Sequence, residues 1–421
     1  MIQGNEARSE RPTLIVGLST RAIAESAVQG ARSETFAQRY DAFAQRYDVL
    51  TLDYFGDRDQ KELVQNYSLM RDFDLGFSAE ALLTANRGLD FGAVVYISNL
   101  ENHPDVVEEL AADHTLLGND PATLRRVRDW RTLRQVCRRE GIPVPVTLLP
   151  GEEKQTDAAE LKGKRWLTKP MRSGGGHGIA FWSGEPLDQG RLLQEYVDGL
   201  PCSAAFVADG QRCVLLGLTE QLVGQRELGA RRFTWCGNIL PVSILHLPIS
   251  NIQEMLQKLT RVFGLRGVNG VDFVLGRDEA GRFIPYLVEI NPRYTASMEL
   301  VEWAYGINVF DLHIRSFDGE LPSFHAPPFA TEGRPRPGFH GKGIVYAQED
   351  VVMPQTAGWR EQGRRDIPFP GERITAGHPI CTVLAEGETR DGCWLRLLRA
   401  AKAVWREVEK SGPNEGDNKD V

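Results

Sequence analysis

The first third of the chain alternates short apolar runs with amphipathic stretches. Thr13–Leu18 (TLIVGL) reads as a buried strand, and a helix starts near Ala22. Val49–Leu52 is the next strand and ends at Asp53. A helix over Ser78–Arg87, a strand over Ala93–Ile97, a helix to about Ala111 and a short strand over His114–Leu117 follow. Strands alternating with helices predict a parallel sheet with helices on both faces. The hexapeptide FAQRYD occurs twice, at Phe36–Asp41 and Phe43–Asp48. A seven-residue offset keeps both copies near one helix face, so it reads as a duplication within a helix.

The pattern then changes. Asp120 is placed to cap a helix with Pro121 at its first position, and the helical pattern runs to Glu140. That stretch carries seven arginines, read mostly as a solvated face. Residues from about 144 to 200 suggest a small α+β lobe with strands over Arg165–Pro170, Ile179–Trp182 and Leu192–Val197. Ser203–Ala208, Val214–Thr219 and Phe233–Trp235 read as antiparallel strands. A helix, Ile252–Phe263, leads into a β-hairpin with arms Val271–Leu275 and Phe283–Ile290. Another helix, Ser297–Ala304, follows. Gly319–Gly338 holds five prolines and reads as a linker, and residues 339–408 as a small β-rich unit.

The 421 residues are 42% hydrophobic and 25% charged, ordinary for a globular protein of two or three domains. Net charge is −8, with no basic stripe, which argues against a nucleic-acid partner. No apolar run reaches the roughly 18 residues of a membrane span, and Met1–Pro12 lacks the apolar core of a signal peptide. Six scattered cysteines without a CxxC fit reduced thiols and a cytoplasmic location.

The hairpin carries the chemistry. A two-residue turn at Ala280-Gly281 would set Asp272 directly opposite Glu289, and a bulge would shift this by one residue. Alternation puts Glu289, Asn291 and Arg293 on one face. Two carboxylates buried side by side repel, and a divalent cation such as Mg²⁺ relieves them. A structural salt bridge from Arg293 fits the same residues. A second candidate is Lys169 ahead of Ser173-Gly174-Gly175-Gly176-His177-Gly178, a hairpin loop whose N–H groups can cradle phosphate. It is not a P-loop, since GK[ST] is absent. Gly17-Leu18-Ser19-Thr20-Arg21 is either a tight βα turn or an anion site built on Ser19 and Arg21. Asp53 and Asp57 are either substrate contacts or solvated acids.

The order of these motifs resembles the ATP-grasp superfamily over roughly residues 120–315. The carriers are Lys169 with its glycine loop, Gln194-Glu195-Tyr196-Val197-Asp198-Gly199, Gly270-Val271-Asp272-Phe273 and Val288-Glu289-Ile290-Asn291-Pro292-Arg293. Gly17–Arg21, Ala24–Ala27 and Asp53–Asp59 extend the resemblance to carboligases related to biotin carboxylase. The resemblance implies α/β and α+β architecture in four parts. These are an N-terminal Rossmann-like pre-ATP-grasp domain (1–118), a two-lobed ATP-grasp domain (119–318), a linker with the β-rich subdomain (319–408), and a disordered tail (409–421).

The resemblance also implies a site. ATP lies between two lobes, with Mg²⁺ (or Mn²⁺) on Asp272, Glu289 and Asn291. Lys169, Ser173, Gly174, Gly175, Gly176 and His177 cover the phosphates. Backbone groups of Glu195, Tyr196 and Val197 meet adenine, Asp198 the ribose, and Arg293 stabilises developing negative charge. Ser19, Arg21 and Asp53 are the substrate candidates. The family's phosphate-contacting Lys is missing from Asp129-Trp130-Arg131; this departure leaves that phosphate contact open, with Arg131 as the candidate substitute. The implied activity joins a small-molecule carboxylate, activated as an acylphosphate, to an amine. A bicarbonate-using carboxylase and a non-catalytic nucleotide-binding protein are the alternatives. No biotin-carrier motif is present, and similar carboligases point toward one-carbon cofactors. A homodimer is one option for assembly.

Overall fold

Near-continuous apolar runs such as TLIV need cover on both faces. In this computed structural model, residues 11–29, 47–156, 161–244, 247–323 and 338–410 are described. Five parallel strands lie in the order β3-β2-β1-β4-β5: β1 (Thr13–Val16), β2 (Val49–Asp53), β3 (Gln65–Ser68), β4 (Ala93–Tyr96) and β5 (Thr115–Leu116). Between them run α1 (Arg21–Gln29), α2 (Arg58–Lys61), α3 (Leu69–Asp72), α4 (Ala79–Ala85) and α5 (Pro104–Leu110). Leu14 and Val16 pack with Leu82 and Leu110 on one face. Ile15 meets Ile23, Met298 and Phe310 on the other, so helices from later in the chain complete the cover. This is the parallel sheet expected. Strand β3 was not foreseen, because QNYS has no apolar run. The FAQRYD repeat lies outside the described residues except for its last two positions.

The arginine-rich stretch is two helices, not one. Asp120 caps α6 (Pro121–Arg128) through the Thr123 N–H at 2.9 Å. Asp129 is extended and caps α7 (Trp130–Glu140) through Arg131 and Thr132. An aspartate with two backbone donors in reach prefers capping to continuing a helix.

The small lobe is the antiparallel sheet β6-β9-β7-β8, made of β6 (Thr147–Leu148), β7 (Trp166–Pro170), β8 (Ala180–Phe181) and β9 (Arg191–Glu195). The large sheet begins with β10 (Leu200–Asp209), β11 (Cys213–Val223) and β12 (Trp235–Leu240). After α8 (Ile249–Phe263) come β13 (Arg266–Arg277) and β14 (Phe283–Asn291), then α9 (Met298–Tyr305) and α10 (Val309–Ser316). The last segments are β15 (Phe339–Tyr346), β16 (Val351–Val352), β17 (Arg364–Arg365), β18 (Arg373–Ile374), β19 (Pro379–Gly387) and α11 (Arg390–Glu409).

The large sheet has eight strands in the order β14-β13-β10-β11-β12-β15-β19-β17. The C-terminal strands therefore extend the sheet of the preceding region through β12 and β15. The C-terminal region also ends in a 20-residue helix rather than being only β-rich. Most of the proline segment and the tail beyond residue 410 fall outside the described residues. No described helix is long and apolar enough to cross a membrane. All six cysteines are free.

Candidate functional site

Strands β13 and β14 pair antiparallel with Asp272 opposite Glu289. The route to this register differs from the expected two-residue turn. The turn spans Asp278 to Arg282, closed by Asp278 N–H on the Arg282 carbonyl at 3.0 Å. A register shift next to Asp272 then brings the two acids level. Asp272 accepts from Gln221 Nε2 and from Asn291 Nδ2, each at 2.9 Å. Burial, then the nearby Glu289, push its carboxyl up to about 6. Burial acts the same way on Glu289, but Arg128 and Lys169 outweigh it and hold that carboxyl below its ordinary value.

Arg128 and Glu101 are residues that sequence reasoning missed; Arg128 stands against the acid pair itself. Its Nη1 donates to Glu289 Oε1 at 2.6 Å, across 161 residues of chain. The helix break at Asp129 is the signal that could have found it, because Arg128 is the last residue before that break. Arg131, the expected substitute for the family lysine, is exposed. Trp130 fills the position beside it, and the Lys169 ammonium lies 4.9 Å from the centre of its ring. Lys169 itself is buried and reaches Gln194 Oε1 at 3.4 Å. Burial pulls its ammonium below its ordinary value, with Glu289 acting the other way.

Arg293 follows β14. Its Nε and Nη2 both donate to Glu101 Oε1, at 3.0 and 2.8 Å. Nη2 also donates to Asn291 Oδ1 at 3.1 Å. Glu101 belongs to the loop after β4, so this contact ties the parallel sheet to the hairpin. Tyr96 and Asn119 strengthen the joint by donating to the Pro292 carbonyl, each at 3.0 Å.

The glycine loop joins β7 to β8 and is docked. Gly175, Gly176 and Gly178 all have positive φ. A Cβ on Gly176 would sit 1.8 Å from the Phe233 carbonyl oxygen, so only glycine fits there. Trp235 N–H donates to the Gly175 carbonyl at 3.0 Å. Ser173 and Gly174 are half-buried, and His177 is exposed. At the segment after β9, the N–H groups of Glu195 and Tyr196 are already spent on Val146 and Arg165. The Arg165 guanidinium lies over the Tyr196 ring at 4.2 Å. Asp198 is exposed and 3.6 Å from Arg165. Val197 continues the same segment.

Two of the substrate candidates have other work. Arg21 is fully buried and paired with Glu299, Glu25, Asp366 and Asp59. Asp53 is fully buried and accepts from Thr20 N–H and Oγ1 and from Gly56 N–H, at 3.1, 2.7 and 2.9 Å. Asp53 holds the β1 and β2 loops together, and Arg21 ties α1 to α9 and to the C-terminal region, with the polar atoms of both committed inside the protein. Ser19 is half-buried beside them. Elsewhere, a cavity of about 380 Å³ opens between α9 and β19, lined by Glu299, Trp303, Arg365, Leu384 and Glu386.

Residues 127–297 match the family model of an ATP-grasp domain. An uncharacterized protein of Methanocaldococcus jannaschii is 22% identical over 278 residues, 64% of either chain. The carbamoyl phosphate synthase large chain of Ralstonia nicotianae is 20% identical over 221 residues, 49% of this chain and 20% of the synthase. The chain thus spans just under two thirds of the first relative and a fifth of the second. Among solved structures, it resembles the biotin carboxylase domain of Hydrogenobacter thermophilus 2-oxoglutarate carboxylase. That match has a TM-score of 0.66 and 15% identity, covering 95% of this chain and 91% of that one. The Thermotoga maritima N5-carboxyaminoimidazole ribonucleotide synthetase matches with a TM-score of 0.60 at 14% identity, covering 93% and 98%. At such identities the likeness speaks for the fold. The chain therefore carries an ATP-grasp domain over residues 127–297, set in a fold of the biotin carboxylase type.

Proposed function

We propose that this protein is an ATP-dependent ligase that activates a small-molecule carboxylate as an acylphosphate and joins it to an amine. The observation that carries this reading is the Asp272–Glu289 pair, level across the hairpin and ringed by Lys169, Arg128 and Arg293. Asp272, Glu289 and Asn291 would hold Mg²⁺ (or Mn²⁺). The two acids, level on paired strands and mutually repelling, suit a hard divalent cation; Asn291 Oδ1 accepts from Arg293 and its amide would have to turn over to complete the donor set. Bound there, the ion neutralises phosphate charge.

The chain's own residues do the rest by position and charge. Lys169 offers an ammonium at the start of the glycine loop. The loop's positive-φ glycines let N–H groups turn toward phosphate oxygens. With the Glu195 and Tyr196 N–H groups used inside the protein, what the Glu195–Val197 backbone has to offer a purine edge is its remaining groups, with Asp198 near the ribose. Arg293 faces developing negative charge on the acylphosphate. The cavity beside Glu299 has room for a metabolite-sized substrate.

A second reading is a carboxylase. It is favoured by the likeness to a biotin carboxylase domain whose crystal holds MgADP, ADP and bicarbonate. That neighbour is a dimer, and a homodimer is proposed for this chain also. The test is phosphate release from MgATP against a panel of carboxylates, with and without amines or bicarbonate. Release that needs a carboxylate and an amine together supports the ligase. Release stimulated by bicarbonate supports the carboxylase. Glu289→Ala should abolish release with the fold intact; undiminished release would remove the metal assignment.

A further inference from the structure

We infer that Glu101 is a positioning residue that keeps Arg293 off the metal-binding acids; this rests on the metal reading above. A guanidinium has five N–H donors. In Arg293 four are engaged: Nε and one Nη2 hydrogen on Glu101, the other Nη2 hydrogen on Asn291 Oδ1, and one Nη1 hydrogen on the Tyr294 carbonyl at 3.1 Å. Among the described residues the remaining Nη1 N–H has no partner and is left for a substrate. The grip that sets this orientation is Glu101, which takes two of the four bonds on a single oxygen.

The need for such a grip follows from what else Arg293 can reach. Asn291 bonds the guanidinium through Oδ1 and Asp272 through Nδ2, so Arg293 is one amide away from Asp272. A mobile cation there would swing onto the acid pair and cancel the charge meant for a divalent ion. Arg128 already neutralises part of Glu289, so a second arginine on the pair would leave little attraction. Glu101 competes by being a closer and drier partner. It is 2% exposed, and its other oxygen, Oε2, is buried with no hydrogen-bond partner among the described residues. A carboxylate so placed gains nearly all its stabilisation from one cation and holds it firmly.

The joint also crosses the fold. Glu101 comes from the turn Leu100–Asn102 after β4, and Arg293 from the end of β14, 192 residues later. The docking of the parallel sheet on the hairpin thus sets where Arg293 points.

The test is Mn²⁺ binding, read by water-proton relaxation, in the presence of ADP. In Glu101→Gln the Mn²⁺ affinity should fall about fivefold or more, because Arg293 collapses onto Asp272. In the double variant Glu101→Gln/Arg293→Met the affinity should return to within about twofold of wild type, although turnover is lost. Glu101→Asp should restore part of the affinity of the single variant. Unchanged Mn²⁺ affinity in Glu101→Gln overturns the inference. So does a double variant as weak as the single one, which is the outcome of a merely structural role. Asp272→Asn in the same assay separates the two claims. If it binds Mn²⁺ as wild type does, the metal assignment fails on its own terms.

Discussion

Asp272→Asn isolates the electrostatic cost of the acid pair. Burial and Glu289 lift the Asp272 carboxyl from 3.8 to about 6, roughly two units. At about 1.4 kcal/mol per unit, the ionised pair costs the ligand-free protein up to about 3 kcal/mol at neutral pH. Asparagine keeps the shape but presents an amide to one of two donors, Gln221 or Asn291, losing a hydrogen bond worth about 1 kcal/mol. The net expectation is a gain of about 1–2 kcal/mol at pH 7.5. The pH dependence has a definite sign. The folded protein holds its Asp272 proton to higher pH than the unfolded chain does. Its contribution is therefore fully present below about 4 and lost as pH rises through about 6. Urea unfolding of both proteins at pH 4, 5, 6 and 7.5, without nucleotide or metal, should show the gain growing across that window and then levelling. MgATP turnover should meanwhile fall by at least about a hundredfold. A variant equally stable at every pH, or less stable than wild type at pH 7.5, would refute the reasoning.

Three further outcomes follow from particular contacts. Arg128→Ala should weaken MgADP binding and turnover by about tenfold or more, whereas Arg131→Ala should leave both within about threefold; calorimetric titration distinguishes them, and the reverse order would return the role to Arg131. Gly176→Ala puts a methyl 1.8 Å from a backbone oxygen at φ +78°. It should raise the KM for ATP about tenfold, from a strain of about 1–3 kcal/mol, and lower the melting temperature by a few degrees. Arg21→Met removes the cation shared by four carboxylates, of which Glu299 keeps Lys342 and Glu25 keeps Arg360 and Arg365, and should cost about 3–5 kcal/mol in urea unfolding. A KM effect with unaltered stability would restore Arg21 to a substrate role.

What the sequence by itself determined is what neighbours in the chain decide. Side chains alternate along a strand and a turn reverses it, so Asp272, Glu289 and Asn291 could be placed together from their spacing alone. The glycine loop between two short strands was legible for the same reason, as was the Asp120 cap. Even there a compensation was hidden, since a longer turn and a register shift reached the register expected of a two-residue turn.

Only the tertiary structure decided what came from far away. Arg128 meets Glu289 because α6 ends against β14, and no periodicity in an arginine-rich helix marks one arginine among seven. Glu101 meets Arg293 because the parallel sheet docks beside the hairpin. Arg21 looked like an anion site in its own βα turn. Its fully buried setting depends on Asp366, 345 residues away, and on Glu299 from α9. A charged side chain in a short turn has the same local signature whether it faces solvent or four carboxylates. Burial, and the partners that burial demands, are properties of the assembled layers.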